Sequence, residues 1–193
     1  PFTPEQGYHL SKDLADQAIT MIRNQKATSP SKPWFMFYNP GANHAPHHAP
    51  QEYIAKYKGK FDAGWDKLRE ETLARQIKLG VVPQGTKLSA RPKEIPAWDS
   101  LSADQKRLFA RQMETFAGFA EHTDHEVGRL VQALKDMGEL DNTLFFYVVG
   151  DNGSSAEGGP DGTYNELLAL NGVISDIASQ LPHIDEWGGP STF

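Results

Sequence analysis

Two short apolar runs constrain the fold of this chain more than any other feature of its sequence. The first covers residues 34–38, "WFMFY", and the second covers residues 144–149, "LFFYVV". Neither run alternates with polar residues. Each is therefore predicted to be a β-strand that is buried on both faces. Such strands occur inside parallel sheets that helices cover on both sides. A long helical connection between the runs suits parallel pairing, so the sequence predicts an α/β fold.

The rest of the chain is predicted to be mostly helical. Periodicity and stop signals predict helices near residues 10–26, 51–57, 64–80, 102–138 and 165–180. Ser11 is the predicted N-cap of the first helix. Ser102 and Gln105 form a capping box at the start of the longest one, and Gly80 is a C-terminal stop.

Polar side chains follow both apolar runs. Asn39, Asn43 and His44 come after the first run, and Asp151 and Asn152 come after the second. The carboxyl ends of parallel strands lie at one edge of a sheet, which is where ligands bind in open α/β folds. We therefore expect these five side chains to converge on one cleft.

The Asp151–Asn152 pair allows two interpretations. A carboxylate and a neutral amide oxygen suit Mg²⁺ or Ca²⁺ better than zinc. However, "DNG" is also a common turn tripeptide, since Asp and Asn tolerate turn geometry and Gly supplies positive φ. The residues alone leave a metal site and a plain turn both open.

The segment "HAPHH" at residues 44–48 is the densest histidine cluster. It lies in a proline-broken loop and matches no strong zinc motif, so a zinc cluster is disfavoured. His44 is singled out because it is nearest to the end of the first run, whereas His47 and His48 fit an ordinary surface. His122 and His125 lie on the longest predicted helix, where packing or solvation is the default.

Composition excludes several classes of partner. The net charge of −6, from 25 acidic against 19 basic residues, argues against nucleic acid. No apolar run approaches the roughly 18 residues of a membrane span, so no membrane partner is predicted. The absence of cysteine excludes disulfides and thiolate metal sites, and it leaves a periplasmic, secreted or cytoplasmic location open.

Three stretches together resemble a known family. They are "PWFMFYNPGANHAPHHAP", "YKGKFDAGWDKLREETLARQIKLGVVP" and the long segment from "IPAWDSLSADQKRLF" to "LFFYVVGDNGSSAEGG". Their combination is similar to the central part of a type I sulfatase of the bacterial arylsulfatase kind, within the alkaline phosphatase superfamily. The resemblance covers about residues 8–159.

This resemblance implies a fold, an activity and site residues. The implied fold is a large mixed sheet sandwiched by helices, with a divalent cation, most often Ca²⁺ with Mg²⁺ as the alternative, at the strand ends. Asp151 and Asn152 match the second pair of metal ligands of the family, and His44 matches its histidine beside the ester oxygen. The implied reaction is hydrolysis of a small-molecule sulfate ester by a formylglycine nucleophile.

The chain also departs from the family pattern. It has no cysteine, no Ser-x-Pro-x-Arg motif, no early acidic pair and no lysine soon after Asp151. We therefore expect residues 1–193 to be the central portion of a single sulfatase catalytic domain, with an incomplete sheet and the formylglycine in a missing segment. Such an internal fragment is expected to be inactive alone, since two isolated strands are marginal in water.

Two alternatives remain at this point. One is a phosphodiesterase or phosphomutase relative of the same superfamily, although "GANHAPHHAP" followed by "FDAGWD" favours a sulfatase. The other is a non-catalytic metal-binding or partner-binding domain that kept the scaffold. Strong stabilisation of the isolated chain by calcium would favour this second alternative, because half a catalytic site should bind metal weakly.

Overall fold

The computed structural model describes residues 3–150, 153 and 158–192, and regular structure in that part is helical. The helices are α1 (Leu10–Thr28), α2 (Gln51–Ala55), α3 (Gly64–Leu79), α4 (Ala103–Asp136), α5 (Glu166–Leu170) and α6 (Ile177–Gln180). Short 3₁₀ turns cover Pro4–Gln6, Trp98–Ser100, Leu140–Asn142, Gly159–Asp161 and Leu181–His183.

Helix α4 packs against α1, α2 and α6. Its 34 residues extend over about 50 Å. The predicted capping box is confirmed, because the Ser102 hydroxyl accepts from Gln105 N and the Gln105 side chain accepts from Ser102 N. Much of the predicted apolar stripe is buried, including Leu108, Phe119, Val127, Leu130 and Leu134.

Helix α1 forms the largest core with the second half of α4. Its buried residues are Ala18, Ile19 and Ile22 from α1 and Leu130, Ala133 and Leu134 from α4. The predicted N-cap of α1 is wrong by two residues. His9 caps the helix, since its Nδ1 accepts from Ser11 N, and Ser11 is buried in the first turn.

The predicted helix over 165–180 is two short helices. Helix α5 ends at Leu170 with Asn171 as its C-cap, and Gly172 follows at φ +74°. Glycine adopts this left-handed backbone without strain and so stops the helix. Asp176 then caps α6 through a hydrogen bond from Ser179 N to its carboxylate.

The two apolar runs are not β-strands in the described part of the chain. In the first run Trp34, Met36 and Tyr38 pack against the α1–α4 core, whereas Phe35 and Phe37 are 89% and 79% exposed. This alternation is typical of an extended segment with one covered face. The second run is exposed along its whole length, with Val148 at 90%. Within this chain neither run is buried on both faces, and the sheet remains a prediction.

Gly118 sets how closely α2 approaches α4. A Cβ atom at this position would lie 2.8 Å from Ile54 N and 2.9 Å from Ile54 Cα, and Ile54 is fully buried. Backbone atoms cannot move aside without displacing α2. We expect Gly118→Ala to lower the free energy of unfolding by about 1–3 kcal/mol, as overpacking does.

Gly128 offers the matched control for this prediction, because it lies on the same helix and a Cβ there would meet nothing within 4 Å. Gly128→Ala should raise stability by about 0.5–1 kcal/mol through helix propensity. Urea denaturation of both variants measures the two effects. Equal stabilisation by both alanines would contradict a close α2–α4 approach.

Candidate functional site

The segment that follows the first apolar run, residues 39–49, is hereafter the His44 loop. Asn43 donates from Nδ2 to the Phe116 carbonyl of α4 at 2.8 Å. His44 N donates to the Gly41 carbonyl at 2.8 Å, and the 42–43 and 45–46 peptide bonds are cis. At the other end of the loop, Ala49 is buried and packs with Ile54 and Phe119. The loop is thus attached to α4 on both sides of His44.

The three histidines of this loop have different surroundings. His44 is exposed, and its Nδ1 lies 2.8 Å from the Ala45 carbonyl oxygen. The His47 ring packs near the rings of Phe116 and Phe119, at centroid distances of 6.1 and 6.2 Å. His48 donates from Nε2 to the Thr192 carbonyl at 2.6 Å. Within residues 3–150, 153 and 158–192, no group of three His, Asp or Glu side chains is arranged to hold a metal ion.

The predicted metal ligands Asp151 and Asn152 lie outside the described residues, so their convergence with His44 remains a prediction. Their neighbour Gly153 is described. It lines the same cavity as Ala45, Pro46 and His47, which follow His44 directly. Residues next to both halves of the predicted site therefore line the same cavity.

This cavity has a volume of about 480 Å³ and an aromatic lining. Its rings come from Phe61, Trp65, Trp98, Phe109, Phe116 and Trp187. Trp65 is held by a hydrogen bond from Nε1 to the Pro96 carbonyl, and its ring packs edge-on to that of Trp98 at 4.8 Å. The Trp187 Nε1–H is buried with no acceptor among the described atoms. Such a cavity suits a flat apolar group that carries one or a few polar atoms.

A buried polar row on α4, beside His9, was missed by the sequence analysis. His122 and Glu126 of α4 are 4% and 3% exposed, and His122 Nε2 lies 3.5 Å from Glu126 Oε1. Arg129 pairs with both Glu126 and Asp16 of α1. The signal was available, because His122, Glu126 and Arg129 fall at helical spacing on the buried face of α4. Their partners on α1 are distant in sequence and were not predictable from it.

Burial changes the acid–base behaviour of this row. It lowers the pKa of His122 from 6.5 to about 4, helped by the neighbouring His9 and opposed by Glu126. Burial also lowers the pKa of His9, against the opposing effect of its hydrogen bond to the His48 carbonyl. Both imidazoles are therefore neutral at neutral pH.

Comparison with known proteins identifies the class. The family model "Sulfatase" matches residues 1–180, so the chain belongs to the sulfatase family. The resemblance seen in the sequence is thereby confirmed. Sulfatases as a family act on sulfate esters, generally depend on a divalent cation and have an alkaline phosphatase-like α/β fold.

Particular relatives fall in the same class. An uncharacterized sulfatase of Schizosaccharomyces pombe is 34% identical over 158 residues, covering 77% of this chain and 26% of the relative. An arylsulfatase of Klebsiella aerogenes is 29% identical over 151 residues, covering 78% and 32%. An arylsulfatase of Clostridium perfringens is 26% identical over 148 residues, covering 77% and 27%. The chain thus matches between about a quarter and a third of the length of these relatives.

Among the described residues, no helix combines the length and the apolar character needed to cross a membrane.

Proposed function

We propose that this chain is the central part of a longer sulfatase that hydrolyses aryl sulfate esters. The observation that carries the proposal is that Ala45, which follows His44, and Gly153, which follows the Asp–Asn pair, line the same aromatic cavity. Membership of the sulfatase family supports the reaction type. Two relatives that bear the name arylsulfatase support an aromatic substrate.

The lining of the cavity supports an aromatic leaving group. Aromatic walls favour offset or edge-on contact with a phenol ring, and such contacts add about 0.5–1.5 kcal/mol beyond buried area. The cavity volume of about 480 Å³ lies within the range of small-ligand sites. An alkyl chain would bury apolar area there without this ring geometry, so we expect aryl esters to be preferred.

Asp151 and Asn152 would hold the divalent cation in this proposal. A carboxylate and an amide oxygen are hard donors, and this donor set fits Ca²⁺, with Mg²⁺ as the alternative. Calcium takes six to eight oxygen ligands, so other parts of the longer protein would supply the remainder. When bound, the cation offsets negative charge on the sulfate oxygens. The nucleophile, formylglycine by family resemblance, would also come from outside these 193 residues.

His44 would transfer a proton at the ester oxygen that becomes the leaving phenol. With its proton on Nδ1 the ring can donate to the Ala45 carbonyl, 2.8 Å away. In this neutral tautomer Nε2 of His44 carries the lone pair. When the ring is protonated, Nε2 carries the proton that a departing phenolate needs. General acid catalysis of this kind contributes about 10²–10⁴-fold.

The proposal is tested with the full-length protein and a pair of chromogenic esters. We expect 4-nitrophenyl sulfate to be hydrolysed in a divalent-cation-dependent reaction and to be preferred over 4-nitrophenyl phosphate. A preference for the phosphate ester would assign the protein to a phosphoester-cleaving relative. No turnover of either ester would favour a non-catalytic role.

Replacing His44 with glutamine should slow the full-length enzyme in a way that depends on the leaving group. We expect kcat for phenyl sulfate to fall about 10²–10⁴-fold, because phenolate needs the proton most. The loss should be smaller for 4-nitrophenyl sulfate, whose leaving group is a weaker base. Steady-state kinetics on both esters measure this difference.

The matched control is His125→Gln, since His125 is an exposed histidine on α4. It should leave both rates unchanged within about twofold, as surface substitutions usually do. Equal losses for the two esters in the His44 variant would argue against proton donation to the leaving oxygen.

A further inference from the structure

His9 lies next to the His44 loop although 35 residues separate the two histidines in sequence. Its Nε2 is 3.2 Å from the His48 carbonyl oxygen, and its Nδ1 accepts from Ser11 N at 3.2 Å. The second contact fixes the tautomer, because Nδ1 must carry a lone pair and Nε2 must carry the proton. Neutral His9 therefore caps α1 and donates to the His44 loop at the same time.

Protonation of His9 would break this double role. A proton on Nδ1 would face the Ser11 N–H, so the cap of α1 would be lost and two donors would oppose each other. The ring would move to relieve the conflict, and its bond to the His48 carbonyl would then be weakened.

The neighbours of His9 oppose its protonation. The His122 ring packs edge-on to the His9 ring, with 4.4 Å between centroids. Tyr53 of α2 packs on the His122 ring, with 4.9 Å between centroids. His122 Nδ1 is buried without a hydrogen-bond partner among the described atoms. If both rings were protonated, two positive charges would lie side by side, since the ring centroids are 4.4 Å apart.

Charged groups also face the pair from the packed elements. They are Glu126 and His125 on α4 and Glu52 on α2. Glu126 in turn interacts with Arg129 and with Tyr38 of the first apolar run, and Arg129 also pairs with Asp16 of α1. Because Glu126 is already paired with Arg129, its negative charge stabilises a protonated His9 or His122 less than an unpaired carboxylate would. The balance favours two neutral rings.

The other attachments of the His44 loop end at different elements. Hydrogen bonds run from Asn43 to Phe116 of α4, from His48 to Thr192 and from Ala49 to Gly188. His9 supplies the link to α1. Removing it frees one side of the loop while the attachments to α4 and to the C-terminal segment remain.

We propose that His9 is a positioning residue, which holds the His44 loop through the His48 carbonyl and releases it when the His9–His122 pair is protonated. That His9 holds the loop does not depend on any activity, whereas an effect on catalysis rests on the proposed function of His44. Catalytic side chains need placement within a fraction of an ångström, so a loosened loop should slow the reaction.

The variant that tests this proposal is His9→Asn in the full-length protein. Asparagine is a good N-cap, so α1 keeps its cap, but its side chain is too short to reach the His48 carbonyl. His9→Gln is the rescue variant, since its longer side chain places an amide N–H near the position of Nε2. His125→Asn is the control, since His125 interacts with His122 but has no described contact with the His48 carbonyl, which His9 reaches.

Hydrogen exchange of residues 39–49 is the first readout, after correction for intrinsic exchange rates. At neutral pH the His9→Asn variant should exchange this segment about tenfold faster, which corresponds to one lost hydrogen bond, while α4 is unchanged. His9→Gln should restore much of the protection. Unchanged exchange in His9→Asn, with a native melting temperature, overturns the proposal.

The pH dependence of this exchange is the second readout. Because burial lowers the pKa of His9, protection of the loop should be complete above the ordinary histidine pKa of about 6.5 and should fall progressively as the pH drops below that value. His9→Asn should lack this acid-dependent step. An identical acid step in wild type and His9→Asn would overturn the switch.

Kinetics with an aryl sulfate are the third readout. In His9→Asn, kcat should fall about tenfold or more with a smaller change in KM, as expected when a reacting group is misplaced. The exchange readouts need no turnover. If the protein lacks sulfatase activity, the proposed function is refuted, and hydrogen exchange alone then decides whether His9 holds the His44 loop. A fall in kcat without faster exchange would refute positioning by His9.

Discussion

Replacing Asp151 with alanine in the full-length protein is expected to lower kcat/KM for an aryl sulfate at least about a thousandfold. Asp151 is the proposed anionic ligand of the divalent cation, and the charge stabilisation that such an ion gives a transition state is worth several kcal/mol. Each 1.36 kcal/mol corresponds to tenfold in rate. Steady-state kinetics at saturating and at limiting calcium measure the effect.

The substitution Asp151→Asn refines this expectation. Asparagine keeps one oxygen donor but removes the charge, so it should weaken the cation site without deleting it. We expect its activity to fall less than that of the alanine variant and to recover in part at high calcium. The alanine variant should recover little.

Asp141 provides the matched control. It is an exposed acidic residue in the Leu140–Asn142 turn, ten positions before Asp151. Asp141→Asn changes the net charge equally and should change kcat/KM by less than about twofold. Wild-type activity in Asp151→Ala would refute the assignment of this carboxylate as a metal ligand.

Charges placed in the two apolar runs are expected to prevent folding of the full-length protein. Phe37 and Val148 are 79% and 90% exposed in the described chain, yet they lie in runs whose apolar character is typical of buried strands. We propose that the rest of the longer protein covers them with further strands. Phe37→Lys and Val148→Lys should then each cost about 3–5 kcal/mol in that protein, and together they should abolish its folding.

The 193-residue chain should respond in the opposite direction. There the same lysines replace exposed apolar surface and should reduce self-association and the binding of a hydrophobic dye. Size-exclusion chromatography and dye fluorescence measure these changes. The melting temperature and soluble yield of the full-length variants measure the loss of folding.

Met21 supplies the control substitution. It is 62% exposed on α1, outside both apolar runs. Met21→Lys should be tolerated in the short and in the long chain alike. A full-length Phe37→Lys protein with a melting temperature within a few degrees of wild type would show that the first run is an ordinary surface segment.

The sequence features that correctly predicted secondary structure are local ones. The capping box of Ser102 and Gln105, the glycine stop at Gly80 and the helical stripe of α4 each involve residues within a few positions of one another. Their physical effects operate within one or two turns of helix, so the sequence states them directly. The family could also be inferred, because its motifs are contiguous stretches.

Other features depended on contacts between distant parts of the chain. The surroundings of the apolar runs cannot be derived from residues 34–38 and 144–149 alone, because a strand is completed by partners that need not be adjacent in sequence. The error in the predicted helix over 165–180 has a local cause instead, because the turn at Asn171 and Gly172 interrupts a weak helical pattern.

The candidate site divides in the same way. The sequence by itself determined which groups are available, namely His44 on a loop and the acid–amide pair at 151–152, because side-chain chemistry is a property of each residue. Only the tertiary structure decided that His9 reaches the His48 carbonyl and that His122 and Glu126 are buried. The reason is that a tautomer, a lowered pKa or a buried charge arises from what the folded chain brings within a few ångströms, and sequence distance does not report that proximity.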